Sequence, residues 1–183
     1  MDREKLFKEL KKRVKNKNLI KHMLATEAVM RALAERFGED VEKWGIVGLL
    51  HDIDYEETKD RPEEHSLIGA EILENMGLSE DIIYAVKVHN PIHNLPRNSK
   101  LDKALYAVDP LTGLIVACAL ITPEKRLSKI DTAFVLRRFK EKAFAKGANR
   151  EQIKTCSELG LSLEEFIDIA LRAMQGISGQ LGL

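Results

Sequence analysis

Cysteine is scarce in this chain. Only Cys118 and Cys156 occur, 38 residues apart, and no CxxC pair exists. That excludes a disulfide framework and a zinc-knuckle pattern, and leaves two thiols that read as small buried apolar residues of a reducing compartment. Five prolines and eleven glycines are too few for a low-complexity or collagen-like chain. No stretch shows the period-2 alternation of a strand, and no hairpin turn signal separates apolar runs. The opening MDREKLFKELKKRVKNKN has no apolar h-region, so no secretory signal is expected. The longest apolar run, Leu114–Ile121, falls far short of the roughly 20 residues that cross a bilayer. The expectation is a cytoplasmic protein without a membrane partner. Net charge is absent as well: 29 Lys+Arg balance 29 Asp+Glu. A globally basic nucleic-acid binder and an acidic disordered tail are both excluded as whole-chain descriptions. Neither a GxSxG elbow nor a P-loop occurs.

What is present is helical periodicity nearly everywhere, in a chain of 183 residues that suits one domain. Leu6, Leu10 and Val14 mark one face of a first helix. Asn18 is expected to cap a second, running to Phe37 with Gly38 just past its end. Val41–Leu50 reads as a short apolar helix ending at His51-Asp52, and Ile53–Arg61 as a loop. Pro62 suits the first turn of a helix to about Met76. Ser79 is placed to cap a helix ending near His89, and Ser99 one that runs through Leu120. Pro110 lies inside that last helix and frees the Tyr106 carbonyl. Further helices are expected at about 131–145, 149–159 and 162–175, the last opening with the capping-box spacing of Ser162 and Glu165. The fold class is therefore all-α, with eight or nine helices. A soft boundary near Pro123 divides a core of about residues 18–122 from a helical extension of about 123–183, both within a single 1–183 domain.

Charge is distributed unevenly. Residues 1–38 carry net +6, residues 39–80 net −10 and residues 81–183 net +4. The acidic block surrounds His51, Asp52 and His65. All five histidines, at positions 22, 51, 65, 89 and 93, precede Pro123, and four lie on or at the ends of expected helices. Asp109 sits inside the apolar stretch ALYAVDPLTGLIVACALI, where an unpaired carboxylate would be costly. Imidazole and carboxylate together suit Zn, Mn, Co, Ni and Fe, and carboxylate-rich sites accept Mg. His93, between Pro91 and Pro96, reads as a loop residue outside any site.

The order His22…His51-Asp52…Asp109 resembles the H…HD…D pattern of the HD superfamily of metal-dependent phosphohydrolases. GLLHDIDYE resembles the motif of its HDIG subgroup, with Asp54 where that motif has glycine. HSLIGAEIL at His65 and VHN at His89 resemble the two further histidines of members that bind two metals, and AVDPLTG the segment with the last aspartate. The resemblance implies an HD-domain helical bundle. It implies a divalent cofactor (Mn, Mg, Co, Ni, Zn or Fe) held by His22, His51, Asp52 and Asp109. It further implies a second ion on His65 and His89, with Asp52 bridging, and catalytic roles for Asp52 and His51. The implied reaction is hydrolysis of a phosphomonoester or nucleotide by metal-activated water, with a phosphorylated small molecule or nucleotide as the partner.

Residues 125–154 hold ten basic and three acidic side chains. If this segment folds back to the metals, Arg138, Lys142 and Arg150 are candidates to grip the substrate phosphate. The basic N-terminal helix has no interleaved aromatics and reads as solvated surface rather than a nucleic-acid site. Trp44, Phe37, Phe134, Phe139 and Phe166 are expected in the core, and Tyr55 at the pocket. Two other functional classes share the ligand pattern: a di-iron oxygenase of HD type, and a non-catalytic module that binds a nucleotide.

Overall fold

The computed structural model describes residues 2–183, and every regular element among them is helical. In chain order these are α1 (Arg3–Arg13), α2 (Lys17–Phe37), α3 (Val41–Leu50), α4 (Tyr55–Thr58), α5 (Leu67–Asn75), α6 (Glu80–His89), α7 (Lys100–Leu120), α8 (Thr132–Lys140), α9 (Arg150–Lys154), α10 (Leu163–Gly176) and α11 (Ser178–Leu181). Short 3-10 turns lie at Pro91–His93, Leu127–Lys129 and Thr155–Leu159. The all-α expectation holds.

Two 21-residue helices, α2 and α7, form the frame of the bundle. The cap of α2 is Asn16 rather than Asn18: its side chain accepts from the Asn18 and Leu19 amides and satisfies two of the orphan donors at the helix start. The helix stops at Gly38, whose φ of 67° suits a residue without a Cβ. Asp40 then caps α3 through the Lys43 amide. Helix α3 is buried over most of its length and lies directly on α2. Gly48 permits that approach, because a Cβ there would stand 2.8 Å from Glu27 backbone atoms.

Helix α7 opens with a full capping box between Ser99 and Asp102. Pro110 lies inside it, and the carbonyl that it frees, Tyr106 O, accepts a 2.8 Å hydrogen bond from the Gln152 side chain of α9. The loss of an intrahelical bond is thus offset from the C-terminal part of the chain. By length and composition α7 would suit a bilayer. Here it packs against α2, α6, α8 and α10, with twelve residues buried, and carries Asp109 on its way through.

One core cluster runs from Leu6 to Leu181. Residues 123–183 share it: Phe166, Ile167 and Met174 of α10 are completely buried, and α10 packs on both α2 and α7. Trp44, Phe139 and Phe166 are buried, while Phe37 and Phe134 pack on the core from its edge. Cys118 and Cys156 are both free and buried.

Three segments depart from the sequence reading. The stretch 53–61 is not all loop but contains α4. Pro62 does not start a helix: residues 62–66 form turns, and α5 begins at Leu67. Ser66 has a φ of 69°, a left-handed conformation that no α-helix includes. The third segment is the helix expected over 131–145, which ends at Lys140 and is followed by turns.

Candidate metal centre

Five elements bring six side chains to one place. His22 comes from the second turn of α2, His51 and Asp52 from the end of α3, and His65 from the turn before α5. His89 is the last residue of α6, and Asp109 lies on α7. The Nε2 atoms of His22 and His51 stand 3.1 Å apart. Asp109 Oδ1 lies 3.1 Å from His22 Nε2 and 3.8 Å from His51 Nε2. Asp52 sits between two halves of the site. Its Oδ2 is 3.5 Å from both His22 and His51 Nε2. Its Oδ1 is 3.4 Å from His65 Nε2 and 3.5 Å from His89 Nε2. Two sets of ligand-type atoms stand close enough to hold a metal ion: His22, His51 and Asp109, and His51, Asp52 and His89.

The tautomers follow from what the other ring nitrogen touches. His51 and His89 each end a helix, and each places Nδ1 on the carbonyl three residues back, Gly48 O at 2.9 Å and Val86 O at 2.5 Å. Such carbonyls have no intrahelical partner, and a carbonyl only accepts, so Nδ1 carries the proton in both rings. Thr112 Oγ1 donates to Asp109 O and therefore accepts from His22 Nδ1 at 3.0 Å. His65 Nδ1 donates to Asp54 Oδ1 at 3.0 Å. All four rings thus turn Nε2 inward.

That inward set calls for a cation. His89 Nε2 is buried with no hydrogen-bond partner. The His22 and His51 Nε2 atoms face each other, and a proton on one or an ion between them is what makes that stable. Burial opposes charge on His51, but Asp52 and Asp109 prevail and raise it to about 9. Burial likewise would raise the two aspartates, yet His51, His89 and His22 hold Asp52, and His22 and His51 hold Asp109, well below the usual carboxylate range. Two charged carboxylates among imidazoles, with an orphaned nitrogen, fit a divalent ion.

A cavity of about 400 Å³ opens onto this cluster, lined by its exposed edges together with Leu19, Tyr55, Asn90 and Pro91. Tyr55 meets the sequence expectation and packs edge-on against His65, with centroids 5.2 Å apart. His51 does not line the cavity; its side chain is fully enclosed. No lysine or arginine among the described residues lines it either.

Arg138, Lys142 and Arg150 are not brought to this cavity, which corrects the expectation that they grip substrate there. Arg150 is occupied elsewhere: its guanidinium donates to the carbonyls of Phe139, Glu141, Phe144, Ala145 and Ala148. It braces the turns after α8. Arg138 pairs with Glu141, and Lys142 is exposed.

The sequence reading missed Asp54 and Asn90. Asp54 has no exposed side-chain surface and meets His65. Asn90 donates to the Pro62 and His65 carbonyls, and His93 Nε2 donates to the same His65 carbonyl. Together they pin the turn that carries His65. His93 is thus structural, in line with its placement outside the ligand set.

The sequence profile of the HD domain matches residues 19–120, more than half of the chain. The chain belongs to the HD domain family. Among curated relatives it is 32% identical to Ribonuclease Y of Nitratidesulfovibrio vulgaris (strain DP4) over 110 residues, which is 60% of this chain and 21% of that protein. Ribonuclease Y of Lawsonia intracellularis is 28% identical over 73% of this chain and 26% of its own length. That of Thermosipho melanesiensis is 36% identical over 47% and 17%. The matched segment spans between a sixth and about a quarter of these three relatives; the stretch matched by the HD domain profile, residues 19–120, contains all six site residues.

Proposed function

We propose that this HD domain is a metal-dependent phosphohydrolase, with His22, His51, Asp52 and Asp109 holding one divalent ion and His65, His89 and Asp52 a second. The observation that carries the reading is the placement of Asp52, whose two oxygens face separate pairs of inward-turned imidazole nitrogens. One of those nitrogens, on His89, has no other partner. Bound divalent ions would supply a water with a pKa lowered from 15.7 toward about 7 and positive charge for the phosphoryl oxygens.

The protein's own groups supply position and selectivity. Asp109 keeps 29% of its side chain exposed at the cavity, with Oδ1 held by His22, so this carboxylate is placed to meet incoming substrate and water. Asp52 orients the centre from beneath. His51, sealed from the cavity, serves as a ligand and does not touch substrate. Because no Lys or Arg among the described residues lines the cavity, the charge needed to hold a phosphate there would come from bound ions, which favours chemistry that fails without them. Tyr55, 45% exposed, offers an aromatic rim.

The first substrate class is a phosphomonoester or nucleotide, in keeping with a cavity of about 400 Å³. The relatives' name, Ribonuclease Y, favours a second, the phosphodiester of RNA. One experiment separates these. Protein stripped of metal is assayed on a phosphomonoester, a nucleotide panel and a short RNA, with Mn, Co, Ni or Mg restored singly. Turnover is expected only with metal. Cleavage of RNA alone would select the phosphodiester reading, and turnover surviving chelation would overturn the metal mechanism. Oxygen consumption with iron, without phosphate release, would favour the oxygenase alternative; nucleotide retention without turnover would favour the binding module.

A further inference from the structure

We infer that Asp54 is a positioning residue which builds the second metal site by fixing the tautomer of His65. This rests on the two-ion reading above. The two oxygens of Asp54 have separate tasks. Oδ2 accepts from the Ser66 amide at 2.8 Å and the Gly69 amide at 2.9 Å, both orphan donors at the start of α5. Oδ1 accepts from His65 Nδ1 at 3.0 Å. Nδ1 therefore carries the proton, and Nε2 turns its lone pair toward Asp52 Oδ1, 3.4 Å away. His22, His51 and His89 lean on neutral acceptors; among these four rings only His65 has a carboxylate behind it. A carboxylate behind a ligating imidazole fixes the ring and raises its basicity.

The surroundings are shaped around this carboxylate. Asp54 is fully enclosed. A Cβ on Gly69 would stand 3.1 Å from Oδ1 and 3.2 Å from Cγ, so the glycine leaves the carboxylate its place. Ser66 takes up its left-handed conformation and donates its hydroxyl to Lys87 O at 2.9 Å, tying the turn to α6, two residues before His89. Asp54 itself stands two residues after the bridging Asp52. The second site is thus assembled on one buried carboxylate: it caps α5, sets the turn and aims the ring.

Asp54→Asn separates these tasks. The single amide oxygen serves two backbone donors if it stays at the Oδ2 position. Turning the amide round would instead bring its NH2 against both donors. The NH2 group therefore faces His65 Nδ1, which becomes the acceptor, and the proton moves to Nε2, the atom needed for the metal. The cap is kept and the ligand is lost.

The test uses the full chain, wild type and Asp54→Asn, with Mn²⁺ uptake followed by calorimetry and elemental analysis. The neutral tautomer of His65 is read from long-range ¹H–¹⁵N imidazole spectra of the metal-free proteins in the high-pH limit. Expected are two ions in wild type with the Nδ1–H tautomer at His65. In the variant, Nε2–H is expected, with the first ion bound as before and the second weakened by about 10–100-fold. Two ions bound with unchanged affinity in the variant would overturn the role of Asp54 alone. A wild type saturating at one ion would overturn the two-ion reading and the inference with it. An Nε2–H tautomer at His65 in wild type would overturn the inference without any variant.

Discussion

Adding one methyl group at two glycines should move stability in opposite directions. Both Gly48 in α3 and Gly113 in α7 are helical, and Gly→Ala inside a helix is worth about 0.5–1 kcal/mol when nothing opposes it. At Gly113 nothing lies within 4 Å of an added Cβ, so Gly113→Ala should gain that amount. At Gly48 the Cβ would stand 2.8 Å from Glu27 N, Glu27 Cα and Thr26 O. These are backbone atoms of α2 and cannot swing aside. Contact at 3.4 Å requires the helices to part by about 0.6 Å, and overpacking of that kind costs about 1–3 kcal/mol. In a chain of this size each kcal/mol moves Tm by about 2–4 °C. Gly113→Ala should therefore melt about 1–4 °C higher than wild type, and Gly48→Ala lower by up to about 10 °C. The site adds a second readout. Helix α2 carries His22, and α3 ends in His51, whose Nδ1 bonds Gly48 O itself. Parting the helices separates two Nε2 atoms now 3.1 Å apart, so Gly48→Ala should also take up metal more weakly, while Gly113→Ala does not. Thermal melts and metal titrations of both variants check this. A Gly48→Ala protein as stable as wild type with unchanged metal uptake refutes the argument that this glycine sets the distance between the two histidines.

Metal uptake should strengthen as pH rises. Burial lowers His51, but Asp52 and Asp109 overcome it and raise the ring from 6.5 to about 9. The metal-free protein therefore holds at neutral pH a proton that an ion must displace. Apparent affinity should climb between pH 6.5 and 9 and flatten above; titrations that show no trend across this range contradict the assignment. Arg150→Ala should lower stability by about 1–3 kcal/mol, because it removes charge-assisted bonds to carbonyls, and should leave KM unchanged. A raised KM at unaltered Tm would restore it as a phosphate ligand.

How much could be read in advance depended on whether the partner was local. The helix faces were legible because apolar spacing is a local property: Leu6, Leu10 and Val14 are all buried as the periodicity requires. Asp109 announced itself as a carboxylate among apolar neighbours, and Pro110 as a break in the bonding of α7. The occupant of the freed Tyr106 carbonyl was not legible. Gln152 lies 46 residues away, and nothing about a glutamine names its acceptor. The basic stretch 125–154 misled for the same reason. Sequence shows that Arg150 is charged, but only the fold shows that five carbonyls surround it.

The histidines make this distinction sharpest. His51 and His89 sit at helix ends, where the carbonyl three residues back is free by the geometry of the helix alone. Their tautomers, and the inward direction of Nε2, thus follow from local rules that a sequence supports. His65 lies in no helix, and its direction comes from a residue 11 positions earlier that also caps the helix after it. In the sequence Asp54 was visible only as a departure, a carboxylate where the resembled motif has glycine. Its consequence reaches past that position. A buried carboxylate needs donors: the turn at 62–66 provides two of them, His65 Nδ1 and the Ser66 amide, and the first turn of α5 provides the third, the Gly69 amide. The helix that Pro62 would otherwise begin is delayed to Leu67, and His65 is left in the turn, aimed by the same group that delayed it. A departure from a motif at a buried charged residue is therefore a structural statement, and the place to look for its partners is the next histidine along the chain.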